Sequence, residues 1–295
     1  MPAVRLDSLK KPEFFYQPRL LAKRLLPGLF ASDTAPRIRL PWNLSIHVDV
    51  EDQIVHGIRS LGLHELVVCE VIWRLLEETE VGIDIGAHVG HMTSLMAARL
   101  APAGTVHALE PHPRLAALLR QSAASWRGVE IHEAAASNLA GRRVLVPPAP
   151  YHENSGTSHL GAEGAPTGVA VDAVTLDGLL GSFDRRALLK IDAEGHETEV
   201  LQGAASLLER RRIRDIVFED HRPHPSDAMQ LLERSGYRLF QLARGFTRPR
   251  LVPAPPGCKA PPWEAINYLA TLEPDRAHRL LARRGWQVFG GRRDT

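Results

Sequence analysis

Four acids stand where the sequence predicts strands to end: Asp84, Glu110, Asp192 and Glu219. Carboxylates at such positions can hold hydroxyls, attract cations or take protons. In an open α/β sheet, ligands sit outside the carboxyl ends of the strands, beside the switch in strand order. The four acids are therefore expected on one edge, where like charges repel unless a cation or a donor-rich ligand meets them. A cofactor-and-substrate cleft is the expected result. A divalent metal on Asp192, Glu194, Glu219 and His221 is the competing reading, but no spacing there fixes a coordination geometry, so no metal is expected. Seven histidines, His88, His91, His152, His159, His196, His221 and His224, fall in loops near the same edge. A neutral imidazole can take a proton from an alcohol.

The first of the acids lies in V-G-I-D-I-G-A-H-V-G, residues 81–90. An apolar run predicts a buried parallel strand. A glycine turn through Gly86, His88 and Gly90 follows, then a helix with Met92, Leu95, Met96 and Leu100 in period. This is the start of a nucleotide-binding βα unit, in which glycines let backbone and ligand approach closely. The paired glycines of a dinucleotide fingerprint are missing. A carboxylate at Asp84 would repel a pyrophosphate drawn to the helix N-terminus, but it suits a cationic, phosphate-free nucleoside. S-adenosylmethionine, with its ammonium and sulfonium, is such a ligand. Glu110 ends the next strand, 20 residues after Gly90, where an acid can hold both ribose hydroxyls.

Positioning these residues requires regular alternation. Strands are expected at 81–85, 105–109, 129–132, 187–191, 215–218, 237–242 and 266–271, with helices between them. That order predicts an α/β fold with a mostly parallel sheet and helices on both faces. Residues 142–146 and 169–174 read as an inserted hairpin. The long loop between them, which carries His152, Asn154, Ser155 and His159, is expected to be functional and to close over an acceptor. Residues 244–263 read as a Pro- and Gly-rich loop. Upstream, 43–52 alternates like a strand and 63–79 like an amphipathic helix. Residues 1–40 read as an extension whose helix after Pro18 packs on its own domain. Residues 41–271 form the main domain, and 272–295 a basic helix and tail.

The net charge of +2 argues against a nucleic-acid partner. Two distant cysteines, Cys69 and Cys258, suit a reducing cytoplasm. No run is long enough for a stable membrane span. Nothing in the sequence indicates an oligomeric state.

With these residues in hand, the chain resembles the FkbM family of S-adenosylmethionine-dependent methyltransferases. The matching segments are D-I-G-A-H-V-G (84–90), A-L-E-P-H-P (108–113), A-A-A-S (134–137), E-N-S-G (153–156), V-T-L-D (174–177), L-K-I-D-A-E-G-H-E (189–197), V-L-Q-G-A (200–204) and N-Y-L (267–269). The resemblance runs from about residue 45 to 271. It implies a Rossmann-like class I methyltransferase fold with seven strands. It also implies methyl transfer to a hydroxyl, often on a sugar or polyketide-type product. By position, Asp84 and Gly86 would hold the methionine part of the cofactor, within the turn that includes His88 and Gly90. Glu110, followed by Pro111, would hold the ribose. Glu133, Ala134 and Ala135 would line the adenine, and Asp192 and Glu194 would sit beside the transferred methyl. His88 and His91 stand where the family often has Asn and an aromatic.

An alcohol is a poor nucleophile, so a base is expected among Asp192, His196 and His221. Glu194, Glu219, His152, Asn154 and Ser155 are the candidate substrate contacts. A nicotinamide oxidoreductase and a non-catalytic binding module are the alternative readings.

Overall fold

The computed structural model describes residues 11–25, 35–48, 53–146, 159–161, 168–222, 224–253 and 266–290. An antiparallel pair, β1 (Arg37–Arg39) and β2 (Ser45–His47), precedes the main sheet. The strand expected over 43–52 is thus shorter, and its last residues lie outside the described ones.

Next come β3 (Val81–Ile85), β4 (Thr105–Leu109) and β5 (Val129–His132), which pair in parallel. A second sheet is made of β6 (Ala135–Ala136), β7 (Gly141–Val146), β8 (His159–Gly161) and β9 (Val169–Val174). The expected hairpin is there, with β7 antiparallel to β9. The main sheet is completed by β10 (Ala187–Ile191), β11 (Ile213–Glu219), β12 (Arg238–Arg244), β13 (Pro249–Pro253) and β14 (Asn267–Thr271).

The main sheet runs in the order β13-β12-β14-β11-β10-β3-β4-β5. Strand order reverses between β3 and β10, which pair in parallel and place Lys190 opposite Asp84. β14 runs antiparallel between β11 and β12. The chain therefore has the Rossmann-like class I methyltransferase fold, with one strand beyond the seven expected. The extra strand, β13, falls in the stretch that reads as a loop. Its prolines hid it: Pro cannot serve a central strand but is tolerated at a sheet edge, where β13 lies.

The apolar runs of β3 and β10 are buried throughout because both faces of the sheet are covered. On one face, Val106, Leu188, Val217 and Leu269 pack under the helices Leu66–Leu75, His91–Leu100 and Pro113–Ala123. On the other, Ile83, Leu189, Ile216 and Tyr268 meet Leu176–Leu180, Glu197–Gln202 and Asp227–Arg234. Each fully buried Leu or Ile stabilises the fold by about 1.5–3 kcal/mol relative to exposure. Period-2 alternation sends Gly82, Asp84 and Lys190 to the first face and Ile83, Ile85 and Leu189 to the second.

Both ends of the described chain are tied to this core. Arg74 donates to the carbonyls of Leu280, Arg283 and Gly285, and its buried partner Glu70 accepts from the backbone of Gln287 and Val288. Glu13, in the helix Pro12–Tyr16, pairs with Arg244 at 3.1 Å. The helix after Pro18 spans Pro18–Leu25. Among the described residues, no helix is long and apolar enough to cross a membrane.

Candidate active site

Gly86 brings two strand ends together. Its φ is +74°, a left-handed conformation natural to glycine. A Cβ there would lie 2.0 Å from the Asp192 carbonyl oxygen. The loop after β10 is bonded to the end of β3 at this point, Asp192 N donating to Ile85 O at 3.1 Å. Gly86→Ala must therefore push the Asp192 loop away from the turn. It is expected to lower Tm and to weaken cofactor binding more than about ten-fold, since misplacement by 1 Å is enough for larger losses. A titration with wild-type affinity would refute this. Gly90, with φ +94°, has a different task. A Cβ there would meet Leu119 and Trp126, so Gly90 lets the turn pack onto the core.

A cavity opens at this edge, with about 680 Å³ of empty space counted out through its open mouth. One wall is Gly86, His88, Glu110 and Pro111; another is Ala134, Ala135, Ala136 and Leu145; a third is Asp192, Ala193, Glu194 and His196. Ile54 and Leu160 also line it. Glu110 is held in place by two backbone donors, His88 N on Oε2 and His112 N on Oε1, each at 2.8 Å. Burial pushes its carboxyl above the usual range, against those two bonds.

A smaller cleft of about 300 Å³ adjoins the cavity, and Asp192 and Glu194 face both. Its far side is Glu219, Asp220, His221 and Arg222. Burial first, then Asp192, Glu65 and Glu194, pushes the Glu219 carboxyl up to about 8. Its oxygen lies 2.5 Å from His221 Nε2, at an imidazole largely open to solvent. Glu194 is pushed up to about 7 by burial, then by Asp192 and Glu197. Its surface is nevertheless exposed, so water screens it more than Glu219. Glu194 and Gly195 both have positive φ, 48° and 94°, and His196 N bonds to Ala193 O. That is a type I′ turn with a non-glycine residue in a costly position.

One buried cation stands behind these acids. Lys190 Nζ lies 3.0 Å from Asp192 Oδ2 and 3.8 Å from Asp84 Oδ1. Burial alone would lower its ammonium; Asp192 and Asp84 outweigh that and hold it above the ordinary lysine range. It stays protonated and is no base. Asp84 is fully buried, and its Oδ2 accepts from Thr93 Oγ1 at 2.6 Å.

The structure thus brings Gly86, His88, Glu110, Pro111, Ala134, Ala135, Asp192, Glu194 and His196 around the cavity, with Glu219 and His221 beside it. Asp84 and Gly90 stand behind the wall. The Glu133 side chain turns outward to Arg120 at 2.6 Å. His152, Asn154 and Ser155 lie outside the described residues. His196 Nε2 is 2.9 Å from Ser137 Oγ, and burial lowers its basicity. Among the described residues, Asp192, Glu194, Glu219 and His221 do not bring three metal-ligating atoms within 4.8 Å of one another. The sequence reading missed Lys190 as a functional residue, although an isolated lysine in a buried strand was a usable signal. It also missed Ile54, which the unexpected helix Gln53–Leu61 carries.

The model of the methyltransferase FkbM domain matches residues 84–239, more than half of the chain. The chain belongs to the FkbM methyltransferase family. The matched region runs from the buried acid of β3 to the start of β12 and so contains the acidic cleft and the cavity lining apart from Ile54. The hexuronic acid methyltransferase AglP of Haloferax volcanii is 27% identical over 172 residues, 56% of this chain and 68% of AglP. Among solved structures, the methyltransferase FkbM from Methylobacillus flagellatus is similar at 15% identity and a TM-score of 0.43. That likeness covers 75% of this chain and 56% of the other. An S-adenosylmethionine-dependent O-methyltransferase from Thermotoga maritima is similar at 13% identity and a TM-score of 0.40, covering 74% and 71%.

Proposed function

We propose that this FkbM-family methyltransferase uses S-adenosylmethionine to methylate a hydroxyl of a small molecule, a sugar or polyketide-type acceptor. The observation that carries the reading is the joining of the cavity to the acidic cleft through two carboxylates, Asp192 and Glu194, of which Asp192 is held by the buried Lys190. The cavity fits the cofactor in kind. Glu110 offers oxygens for ribose hydroxyls, Ala134 to Ala136 and Leu145 offer an apolar surface for a base, and the acids at the Asp192 end suit a cationic group. The name of the AglP relative, a hexuronic acid methyltransferase, supports a sugar acceptor.

When bound, the cofactor supplies an electrophilic methyl group. The protein has to orient the acceptor oxygen, exclude water and receive the hydroxyl proton. Asp192 is assigned the last role because it faces both spaces and Lys190 fixes its orientation. His196, against Ser137, and His221, against Glu219, are the other candidate bases. Glu194 and Glu219, which line the cleft, are the candidate contacts for acceptor hydroxyls. The test is methyl transfer from isotopically labelled cofactor to a panel of glycosides and hydroxylated natural products, read by mass. Transfer to nitrogen or carbon only, or none across the panel, would end the O-methylation reading.

The raised acids imply a pH dependence. A cationic ligand favours their ionised forms. Below about 7 both Glu194 and Glu219 carry protons and the field is weak; above about 8 both are charged. Cofactor affinity measured by calorimetry is expected to rise with pH across that interval, with proton release on binding. An affinity that is flat from pH 6 to 9 would contradict it.

A further inference from the structure

A second cluster lies on the outer margin of the sheet. His107 on β4 and Glu130 and His132 on β5 share one face, because Val106, Val129 and Ile131 turn the other way into the core. His107 and Glu130 are directly opposite in the parallel register. His107 Nδ1 lies 3.3 Å from His132 Nε2 and 3.5 Å from Glu130 Oε2. Among the described residues, this is the group in which three metal-ligating side chains converge, all within 4.8 Å of one another. Two nitrogens on a tetrahedral zinc-type ion, each bound at about 2.0–2.1 Å, stand about 3.3–3.4 Å apart. The two imidazoles already have that spacing.

We infer that His107, Glu130 and His132 form a binding site for a borderline transition-metal ion of the zinc class, clamping the edge strand β5 to β4. Two imidazoles and a carboxylate suit zinc or cobalt better than magnesium, which prefers oxygen ligands in an octahedral shell. The fourth position would be left to water. The His107 side chain is 13% exposed and that of Glu130 60%, so the ion has a dry floor and an open entrance. Occupancy bears on the cavity as well. The carbonyl of His132 accepts from Glu110 N at 3.0 Å, and Ala134 follows two residues later. An ion there would stiffen the strand ends that carry both.

The test uses tag-free full-length protein, stripped with a chelator and titrated with zinc, cobalt(II) and magnesium. The expected result is one zinc or cobalt ion per chain, no magnesium binding, and a tetrahedral cobalt spectrum. His107→Gln and His132→Gln should each weaken binding by about 100-fold or more, and Glu130→Gln should weaken it too. Glu219→Gln should retain wild-type affinity. Metal-free melting curves of the variants check that they are folded, and the wild-type titration alone can overturn the site. Absence of binding, binding unchanged in both histidine variants, or binding lost in Glu219→Gln would each overturn it.

Discussion

Asp84→Ala is expected to destabilise the fold by about 3–5 kcal/mol, the cost of leaving one member of a buried ion pair without its partner. Asp84 is fully buried between Lys190 and Thr93. Its removal leaves Asp192, 3.0 Å away, as the nearest carboxylate to the Lys190 ammonium, with Glu65 farther off. Asp192 should then be drawn toward the lysine and out of its orientation at the cavity, so cofactor binding is expected to vanish in a calorimetric titration. Pairing the change with Lys190→Met separates the causes. If the ion pair is the reason, the double variant should recover part of the stability, with a coupling energy of about 0.5–3 kcal/mol in urea unfolding. Additive losses, or an Asp84→Ala protein as stable as wild type, would refute the pairing.

The second large effect concerns chemistry rather than folding. Asp192→Asn keeps the size of the side chain and can still accept from Lys190 through its amide oxygen, but it cannot take a proton. Cofactor affinity should stay within a few-fold of wild type. Turnover should fall by about 10²–10⁴, the usual contribution of a positioned general base. If turnover survives, Asp192 is neither the base nor an essential positioner, and His196 or His221 takes its place. The corresponding variants, His196→Ala and His221→Ala, should then carry the loss.

The charge argument against a pyrophosphate changes when the surroundings of Asp84 are known. Its carboxylate does not reach the cavity. The acids that line the two spaces are Glu110, Asp192, Glu194, Glu197, Glu219 and Asp220; the cations beside them are Lys190, behind Asp192, and Arg222, which pairs with Asp220 and Glu197. The proposed preference for a cationic ligand therefore rests on the excess of acids over Lys190 and Arg222 at the ends of β10 and β11.

The sequence by itself determined the order of strands and helices, because buried parallel strands are unbroken apolar runs and the helices between them keep a 3.6 period. It determined the glycine turn, the acids at strand ends and the family motifs, since all of these are local in the chain. It did not reveal β13, whose prolines are compatible only with an edge position that appears once the sheet is assembled. Nor did it reveal the helix Gln53–Leu61, which brings Ile54 to the cavity. Which acids face the ligand was decided by the tertiary structure alone. Asp84 and Lys190 are 106 positions apart in the chain yet opposite each other in register, and burial makes each the counter-charge of the other. The same separation hides His107 from Glu130 and His132: only strand pairing sets imidazoles from two strands at metal-binding distance.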